Sequence, residues 1–152
     1  MFWIRTRIFN SSLSCIIGKV LGLEEKLNSP RHPSQITFFC GHDPKCLVFN
    51  SIAAAQLAKK NVERYYAVVG VLEEMKKSIR VFEMYIPKFF NNASKTYEYI
   101  LNRTNNEGVN KNVCKPQVPT ETLALLRHNF SLEIDFYQFC KSRLHKQYLI
   151  LR

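Results

Sequence analysis

Four histidines are the residues of this chain best suited to acid–base chemistry near neutral pH. They are His32, His42, His128 and His145. None stands at a metal-ligand spacing from cysteines or carboxylates, so we expect no metal site. His42 directly precedes Asp43 and is the strongest acid–base candidate, but two neighbours in sequence seldom form a site by themselves. We therefore favour a turn-positioning role for His42.

Phosphate loops and activated serines are the next possibilities, and neither pattern is present. A Walker-type loop needs several glycines in one short run before Lys-Ser/Thr, whereas the five glycines stand at positions 18, 22, 41, 70 and 108. No G-x-S-x-G element supports a serine nucleophile. Residue chemistry alone therefore yields no complete active site.

The charge of the chain favours an anionic partner. Its 152 residues carry 22 Lys+Arg against 12 Asp+Glu, a formal net charge of +10. Nucleic acid, acidic membrane and sulfated polysaccharide are all compatible with this balance. The basic C-terminal end, with Lys141, Arg143 and Lys146, is more typical of a solvated helix face than of a polyanion groove. No run of about 18 uncharged apolar residues indicates a membrane span.

Cysteines and glycosylation sequons bear on the compartment. The five cysteines are Cys15, Cys40, Cys46, Cys114 and Cys140, and none forms a C-x-x-C pair. Cys40 and Cys46 bracket a stretch of turn formers, and from the residues alone a disulfide and two reduced thiols are both open. Four Asn-x-Ser/Thr sequons, at Asn10, Asn92, Asn102 and Asn129, exceed the roughly one expected by chance. They favour a secretory lumen and are our predicted glycosylation sites.

The elements that would position these residues form an α/β pattern in the first half of the chain. Residues 35–40 are short, apolar and β-prone, which predicts a strand. Residues 51–64 are Ala-rich and predict a helix with Asn50 or Ser51 as N-cap. The apolar run 66–70 predicts a buried strand. Met75, Ile79, Phe82 and Ile86 then share one helical face, which we expect to pack on that strand before Pro87 ends the helix.

The second half of the chain is predicted to be a loop followed by helices. Residues 102–119 are polar and rich in asparagine, as in a long surface loop. Thr120 is the predicted N-cap of a helical region that is interrupted near Asn129. Apolar side chains recur at helical spacing in the last helix, namely Phe130, Ile134, Tyr137, Leu144 and Tyr148.

Residues 38–46, with the sequence FFCGHDPKC, resemble a segment of the heparan sulfate and uronyl 2-O-sulfotransferases, and are closest to the insect Pipe branch of that family. The resemblance extends over roughly residues 35–148, in order and with similar spacing. Its further segments are 66–70, 72–74, 86–90, 118–120 and 133–137. Residues 1–34 match poorly, so we divide the chain into an N-terminal lead, 1–34, and the C-terminal part of a sulfotransferase domain, 35–152.

The resemblance implies a P-loop-kinase-like α/β sulfotransferase fold, of which this chain would be a mainly helical C-terminal part with one or two short strands. It implies transfer of a sulfuryl group from PAPS (3'-phosphoadenylyl sulfate) to the 2-hydroxyl of a uronic acid. It also implies a disulfide between Cys40 and Cys46, a glycosaminoglycan partner rather than nucleic acid, and a homo-oligomer, since the family tends to form trimers. The expected location is the Golgi lumen, within a type II membrane protein whose anchor is absent from this chain.

This chain departs from the family in several parts of the site. The family's phosphosulfate loop, its histidine base and its 3'-phosphate-binding Arg/Ser pair have no counterpart here, so we expect a truncated chain with no catalytic residue of its own. Lys111 and Lys115 are the nearest matches to the family's nucleotide-contacting loop, and solvated lysines are an equal alternative. The second functional hypothesis is a non-catalytic lumenal module that binds sulfated glycan or a full-length sulfotransferase subunit.

Overall fold

The computed structural model describes residues 3–4, 34–104 and 119–151. These residues are predominantly helical and fall into two compact units. We call the first the disulfide unit, with described residues 34–66 and 119–139. The second is the strand unit, with described residues 3–4, 67–104 and 140–151. The helical content agrees with the expected mainly helical chain. None of the helices in the described residues combines the length and the hydrophobicity of a membrane span.

The disulfide unit begins with a helix where the sequence predicted a strand. Helix α1 spans Gln35–Cys40. Ser34 caps it by accepting a hydrogen bond from the Thr37 amide at 3.1 Å. The carboxylate of Glu133 accepts from the amides of Gln35 and Ile36, at 3.2 and 3.3 Å, and also binds the Ser34 hydroxyl. The strand prediction was wrong because these distant acceptors satisfy the first-turn N–H groups that a helix leaves open.

The C-terminal end of α1 is fixed by glycine and by an asparagine. Gly41 follows the helix at φ 111°, a backbone conformation that L residues seldom adopt. No heavy atom beyond its two chain neighbours lies within 4 Å of the position that a Cβ would take. The amide of Asn61 donates to the carbonyls of Phe39 and Cys40, at 3.0 and 2.9 Å. A 3₁₀ turn then spans Pro44–Leu47, with Asp43 accepting from the Lys45 amide at 2.9 Å.

Helix α2 spans Ile52–Tyr65 and confirms the predicted Ala-rich helix. Its N-cap is Ser51, whose side chain accepts from the Ala54 amide at 3.3 Å. The buried face of α2 consists mostly of small residues, which allows α1 to pack closely against it. That face contains Ala54, Ala55, Ala58 and Val62.

The strand unit contains a short parallel pair in place of the predicted strand over 66–70. Strand β1, Trp3–Ile4, pairs with strand β2, Gly70–Val71. The prediction placed the strand too early because the preceding backbone groups have other partners. The Tyr66 amide donates to the Val62 carbonyl at 3.4 Å and continues the end of α2. The Ala67 carbonyl accepts from Gln147 Nε2 at 2.7 Å.

Helix α3, Met75–Tyr85, packs against β2 as expected. Ile79 and Phe82 are buried on its inner face, while Met75 and Ile86 are half-buried. The sequence did not single out Ser78, which is fully buried. Its hydroxyl accepts from the Val71 amide at 2.9 Å and donates to the Val71 carbonyl at 3.0 Å, so it joins α3 to the strand.

Two helices that the sequence did not predict follow α3. Helix α4, Pro87–Phe90, starts at the proline, which suits the first helical position because that residue needs no N–H donor. Helix α5 spans Ala93–Thr104 and therefore replaces the first three residues of the predicted loop. The rest of that loop, 105–118, lies outside the described residues. Phe90 stacks on Phe82 with ring centroids 5.0 Å apart, and Ser94 bonds to Glu83.

The last two helices are close to the prediction. Helix α6 spans Thr120–Asn129, and its N-cap is Pro119 rather than Thr120, which is already the first helical residue. Helix α7 spans Ser131–Ile150, so the predicted break near Asn129 is confirmed. Residues 131–139 of α7 belong to the disulfide unit, and the following residues belong to the strand unit. Phe136, Tyr137, Cys140 and Leu144 are buried along it.

Candidate functional site

In the described part of the strand unit, the half-buried carboxylate of Glu74 has three basic side chains as partners. Glu74 ends a 3₁₀ turn, Leu72–Glu74, and stands directly before α3. The first turn of α3 brings Lys77 to the same side, with Nζ 2.5 Å from Glu74 Oε2. Residues three apart are neighbours on a helix surface, so this ion pair is local in origin.

Helix α7 supplies the other two basic partners. Lys141 Nζ lies 3.0 Å from Glu74 Oε1, and His145 Nε2 lies 2.6 Å from Glu74 Oε2. Lys141 and His145 are four residues apart, which places them on one face of the helix. Lys77 Nζ is 3.4 Å from His145 Nε2. We call these four residues the Glu74 cluster.

The cluster keeps Glu74 ionised. Burial by itself raises the pKa of this carboxyl group. The hydrogen bonds from Lys77, His145 and Lys141 outweigh that effect and lower the pKa from 4.5 to about 2. The carboxylate of Glu74 therefore faces basic side chains from both helices. It ties α3 to α7 through charge-assisted hydrogen bonds.

The geometry also limits what the cluster can do chemically. Histidine held by a carboxylate is a general-base arrangement, and the His145 side chain is 38% exposed. However, each oxygen of Glu74 already has a cationic partner. A phosphosulfate group entering here would compete with Glu74 for both lysines and would face a carboxylate. The cluster therefore does not fit a sulfonucleotide, and it is best suited to holding the two helices together.

The two cysteines for which the family resemblance implies a disulfide lie together in the disulfide unit. Cys40 and Cys46 form a disulfide bond, with their Cα atoms 5.6 Å apart, and both residues are buried. Asp43 lies between them and caps the 3₁₀ turn, whereas His42 is exposed. The contact observed in this turn is made by Asp43, so the turn role that we favoured for His42 stays a prediction.

The predicted glycosylation sites differ in their surroundings. Asn92 is exposed and has φ 58° in the turn between α4 and α5, and Asn102 is exposed on α5. Asn129 is half-buried at the end of α6. Asn10 lies outside the described residues.

The predicted nucleotide-contacting residues, Lys111 and Lys115, also lie outside the described residues. Their assignment stays a prediction. His32 falls in the same category, while His128 is exposed on α6. Within residues 34–104 and 119–151 no group of three or more His, Cys, Asp or Glu side chains could hold a metal ion.

Comparison with curated proteins identifies the relatives of this chain. It is 46% identical over 121 residues to the uronyl 2-sulfotransferase homolog pip of Drosophila melanogaster. It is also 35% identical over 108 residues to heparan sulfate 2-O-sulfotransferase 1 of Gallus gallus, and 34% identical to the protein of that name in Homo sapiens. The chain belongs to the 2-O-sulfotransferase family.

The match covers most of this chain but a minor part of each relative. The alignment with the Drosophila protein includes 79% of this chain and 23% of that protein. The alignments with the chicken and human proteins include 69% of this chain and 29% of theirs. No model of a protein family matches the chain. The family membership thus rests on these pairwise similarities.

In this member of the 2-O-sulfotransferase family, sequence analysis did not predict the Glu74 cluster. Two signals were available, the spacing of three between Glu74 and Lys77 and the spacing of four between Lys141 and His145. Each signal predicts neighbours on one helix. Neither predicts that the two helices meet at one carboxylate, because that contact joins residues about seventy positions apart.

Proposed function

We propose that this chain is part of a glycosaminoglycan uronyl 2-O-sulfotransferase, which transfers the sulfuryl group of PAPS to the 2-hydroxyl of a uronic acid. The observation that carries the proposal is the 46% identity with the Drosophila uronyl 2-sulfotransferase homolog over 121 residues. We place the chain in the C-terminal part of a P-loop-kinase-like sulfotransferase fold. We further propose that the protein acts in the Golgi lumen as a type II membrane protein, and that it assembles with copies of itself.

Three independent features support a lumenal enzyme of a polyanionic substrate. The disulfide Cys40–Cys46 is of a kind that persists in oxidising compartments. Four sequons suit a secretory route. The net charge of +10 favours association with an acidic polysaccharide.

The donor would be held by residues other than the Glu74 cluster. We assign Lys111 and Lys115 to its phosphate groups, in line with the resemblance to the family's nucleotide-contacting loop. PAPS would supply the activated sulfuryl group, and the chain's own contribution would be to orient that donor by cationic contacts. In the family, the base and the phosphosulfate loop come from segments without a counterpart in this sequence.

A chimeric enzyme tests the proposal directly. Residues 35–148 of this chain replace the matching segment of the Drosophila relative, and 2-O-sulfate formation is measured with labelled PAPS and desulfated heparosan. We expect activity within about tenfold of the parent, because the replaced segment keeps the family's packing. The double substitution Lys111→Ala/Lys115→Ala should raise the KM for PAPS, whereas the control Lys45→Ala/Lys60→Ala should not. A folded chimera without sulfate transfer would contradict the proposal.

A second candidate function is a non-catalytic lumenal module that binds sulfated glycan or a full-length sulfotransferase subunit. It is favoured by the dispersal of the five glycines, which leaves no backbone cradle for a phosphosulfate in this sequence. This candidate predicts that the purified chain co-purifies with a full-length relative or with heparan sulfate. It also predicts that the chimera described above is folded but inactive.

A further inference from the structure

The outer side of α5 presents three aligned side chains to solvent. Lys95, Tyr99 and Arg103 follow one another at intervals of four residues, so they form a stripe along one face of the helix, about 12 Å long. All three are exposed, and Tyr99 is 63% exposed. The half-buried residues of α5 are on other positions, including Ser94, Tyr97 and Leu101.

The aromatic ring in this stripe is held in place by its neighbour. Arg103 Nη1 donates to the Tyr99 hydroxyl at 3.2 Å, and the guanidinium lies 5.9 Å from the ring centroid. The preceding helix repeats the combination, because Lys88 Nζ lies 5.7 Å from the ring centroid of Phe89, which is 76% exposed. Highly exposed aromatic rings beside cations are typical of binding surfaces rather than of cores.

The cations of this surface are not neutralised by the chain's described carboxylates. Lys59, Lys77 and Lys141 each form an ion pair with a glutamate or aspartate. By contrast, within the described ranges no carboxylate lies within 4.0 Å of the side-chain nitrogens of Lys95 or Arg103. Glu98 is the acidic residue of α5, and it is exposed.

We propose that Lys95, Tyr99 and Arg103 form a docking surface for a sulfated uronic-acid polysaccharide. The cations would bind its sulfate and carboxylate groups, and Arg103 can do so in a bidentate manner. The exposed ring of Tyr99 offers a flat apolar surface to the C–H face of a sugar. A stripe about 12 Å long suits an extended oligosaccharide. The inference rests on the proposed function for the class of ligand, and it assigns an additional contact surface rather than the reacting site.

The test uses a binding measurement on residues 1–152, with defined heparan sulfate oligosaccharides titrated by calorimetry. We expect Tyr99→Ala and the double substitution Lys95→Ser/Arg103→Ser each to weaken binding by about fivefold or more. Glu98→Gln should strengthen binding, since it removes the negative charge next to the stripe. All proteins carry Asn92→Gly and Asn102→Gln, so that no N-glycan at these two predicted sites covers the surface; glycine suits the φ of 58° at position 92.

Helix α2 offers a matched control with the same residue types. It contains Lys60, Glu63, Arg64 and Tyr65, and the Arg64 guanidinium lies 5.5 Å from the Tyr65 ring centroid. Tyr65→Ala, Lys60→Ser/Arg64→Ser and Glu63→Gln should leave the affinity unchanged. Equal losses from the α2 and α5 variants would overturn the docking surface, because a loss of general charge would then explain both. Circular dichroism verifies that each variant is folded.

Three further outcomes are informative, and the last two separate this inference from the proposed function. If the α5 variants change binding to phosphatidylserine vesicles but not to heparan sulfate, the surface recognises membrane and the glycan assignment is wrong. If the chimeric enzyme sulfates heparosan while the α5 variants bind heparan sulfate normally, the docking surface fails and the proposed function stands. If the chimera is inactive but the α5 variants lose binding, the surface stands and the enzymatic proposal fails.

Discussion

Glu74 shows how several hydrogen bonds together can keep a largely buried carboxylate ionised. Its side chain is only 15% exposed, a setting that by itself favours the neutral acid. Three hydrogen-bonding partners reverse that tendency. Because the folded-state pKa of about 2 lies below the ordinary value of 4.5, ionised Glu74 stabilises the folded chain.

Replacing Glu74 by Gln should therefore destabilise the chain in a pH-dependent way. A pKa difference of this size corresponds to at most about 3 kcal/mol at pH 7. The contribution is fully present above pH 4.5 and is lost as the pH falls through 2, so wild type and variant should converge in acid. Urea unfolding at a series of pH values measures the difference. The exposed Glu63→Gln variant is the control, and a pH-independent difference for Glu74→Gln would contradict this explanation.

The disulfide between Cys40 and Cys46 closes a short loop, so its effect should be mainly local. A cross-link between residues six apart lowers the conformational entropy of the unfolded chain, which stabilises the folded state by only about 2 kcal/mol. We expect the double substitution Cys40→Ala/Cys46→Ala to raise hydrogen exchange at residues 37–46 more than in α2. Peptide mapping of the wild type without reductant should find neither thiol alkylatable. Labelling of both cysteines under those conditions would show that the bond is absent.

At the scale of the elements, α3 joins the strand through both apolar and polar contacts. Ile79 is 8% exposed, and the Ser78 hydroxyl bonds both backbone groups of Val71. A charged side chain on this face of the helix would therefore be shielded from water.

Replacing Ile79 by Asp should destabilise the chain by about 3 kcal/mol or more, because the carboxylate would be buried without a partner. Met84→Asp on the same helix is the matched control, since Met84 is 55% exposed. Thermal unfolding of the two variants measures the contrast. An Ile79→Asp protein that melts with the wild type would show that this face is not part of the core.

The elements that sequence reasoning predicted correctly are those governed by local signals. Helix α2 has an Ala-rich sequence and the N-cap Ser51, and α7 carries apolar residues at helical spacing. Helix α1 was missed because its β-prone residues are outweighed by Glu133, which is about one hundred positions away. The Glu74 cluster was missed for the same reason, since it too depends on contacts between residues far apart in the sequence. A resemblance to the family predicted the disulfide, but no local pattern predicts the convergence of α3 and α7 on Glu74.

At the scale of the whole molecule, the parallel pair of strands is too small to be stable by itself. Strands β1 and β2 contribute two residues each. Parallel strands are normally found in larger sheets with both faces covered. In the described residues each of the two strands has one hydrogen-bonded neighbour, so each leaves one edge open.

We expect purified residues 1–152 to incorporate no sulfate from labelled PAPS into desulfated heparosan. Sulfuryl transfer needs positioned donors around the phosphosulfate and a base on the acceptor, and these effects act together. The Drosophila relative assayed in parallel provides the reference rate. Turnover by the purified chain near that rate would refute the prediction and direct attention to His145, which Glu74 already orients.

Gly41 illustrates a requirement for handedness rather than for size. Its φ of 111° strains any L residue, yet open space surrounds the position of the absent Cβ. The penalty of a substitution should therefore arise in the backbone and be nearly the same for alanine, serine and leucine. At a crowded glycine it would instead rise with side-chain volume. The turn that follows α1 is thus limited by chirality. In a series of substitutions of increasing side-chain volume at position 41, the loss of stability should be nearly constant.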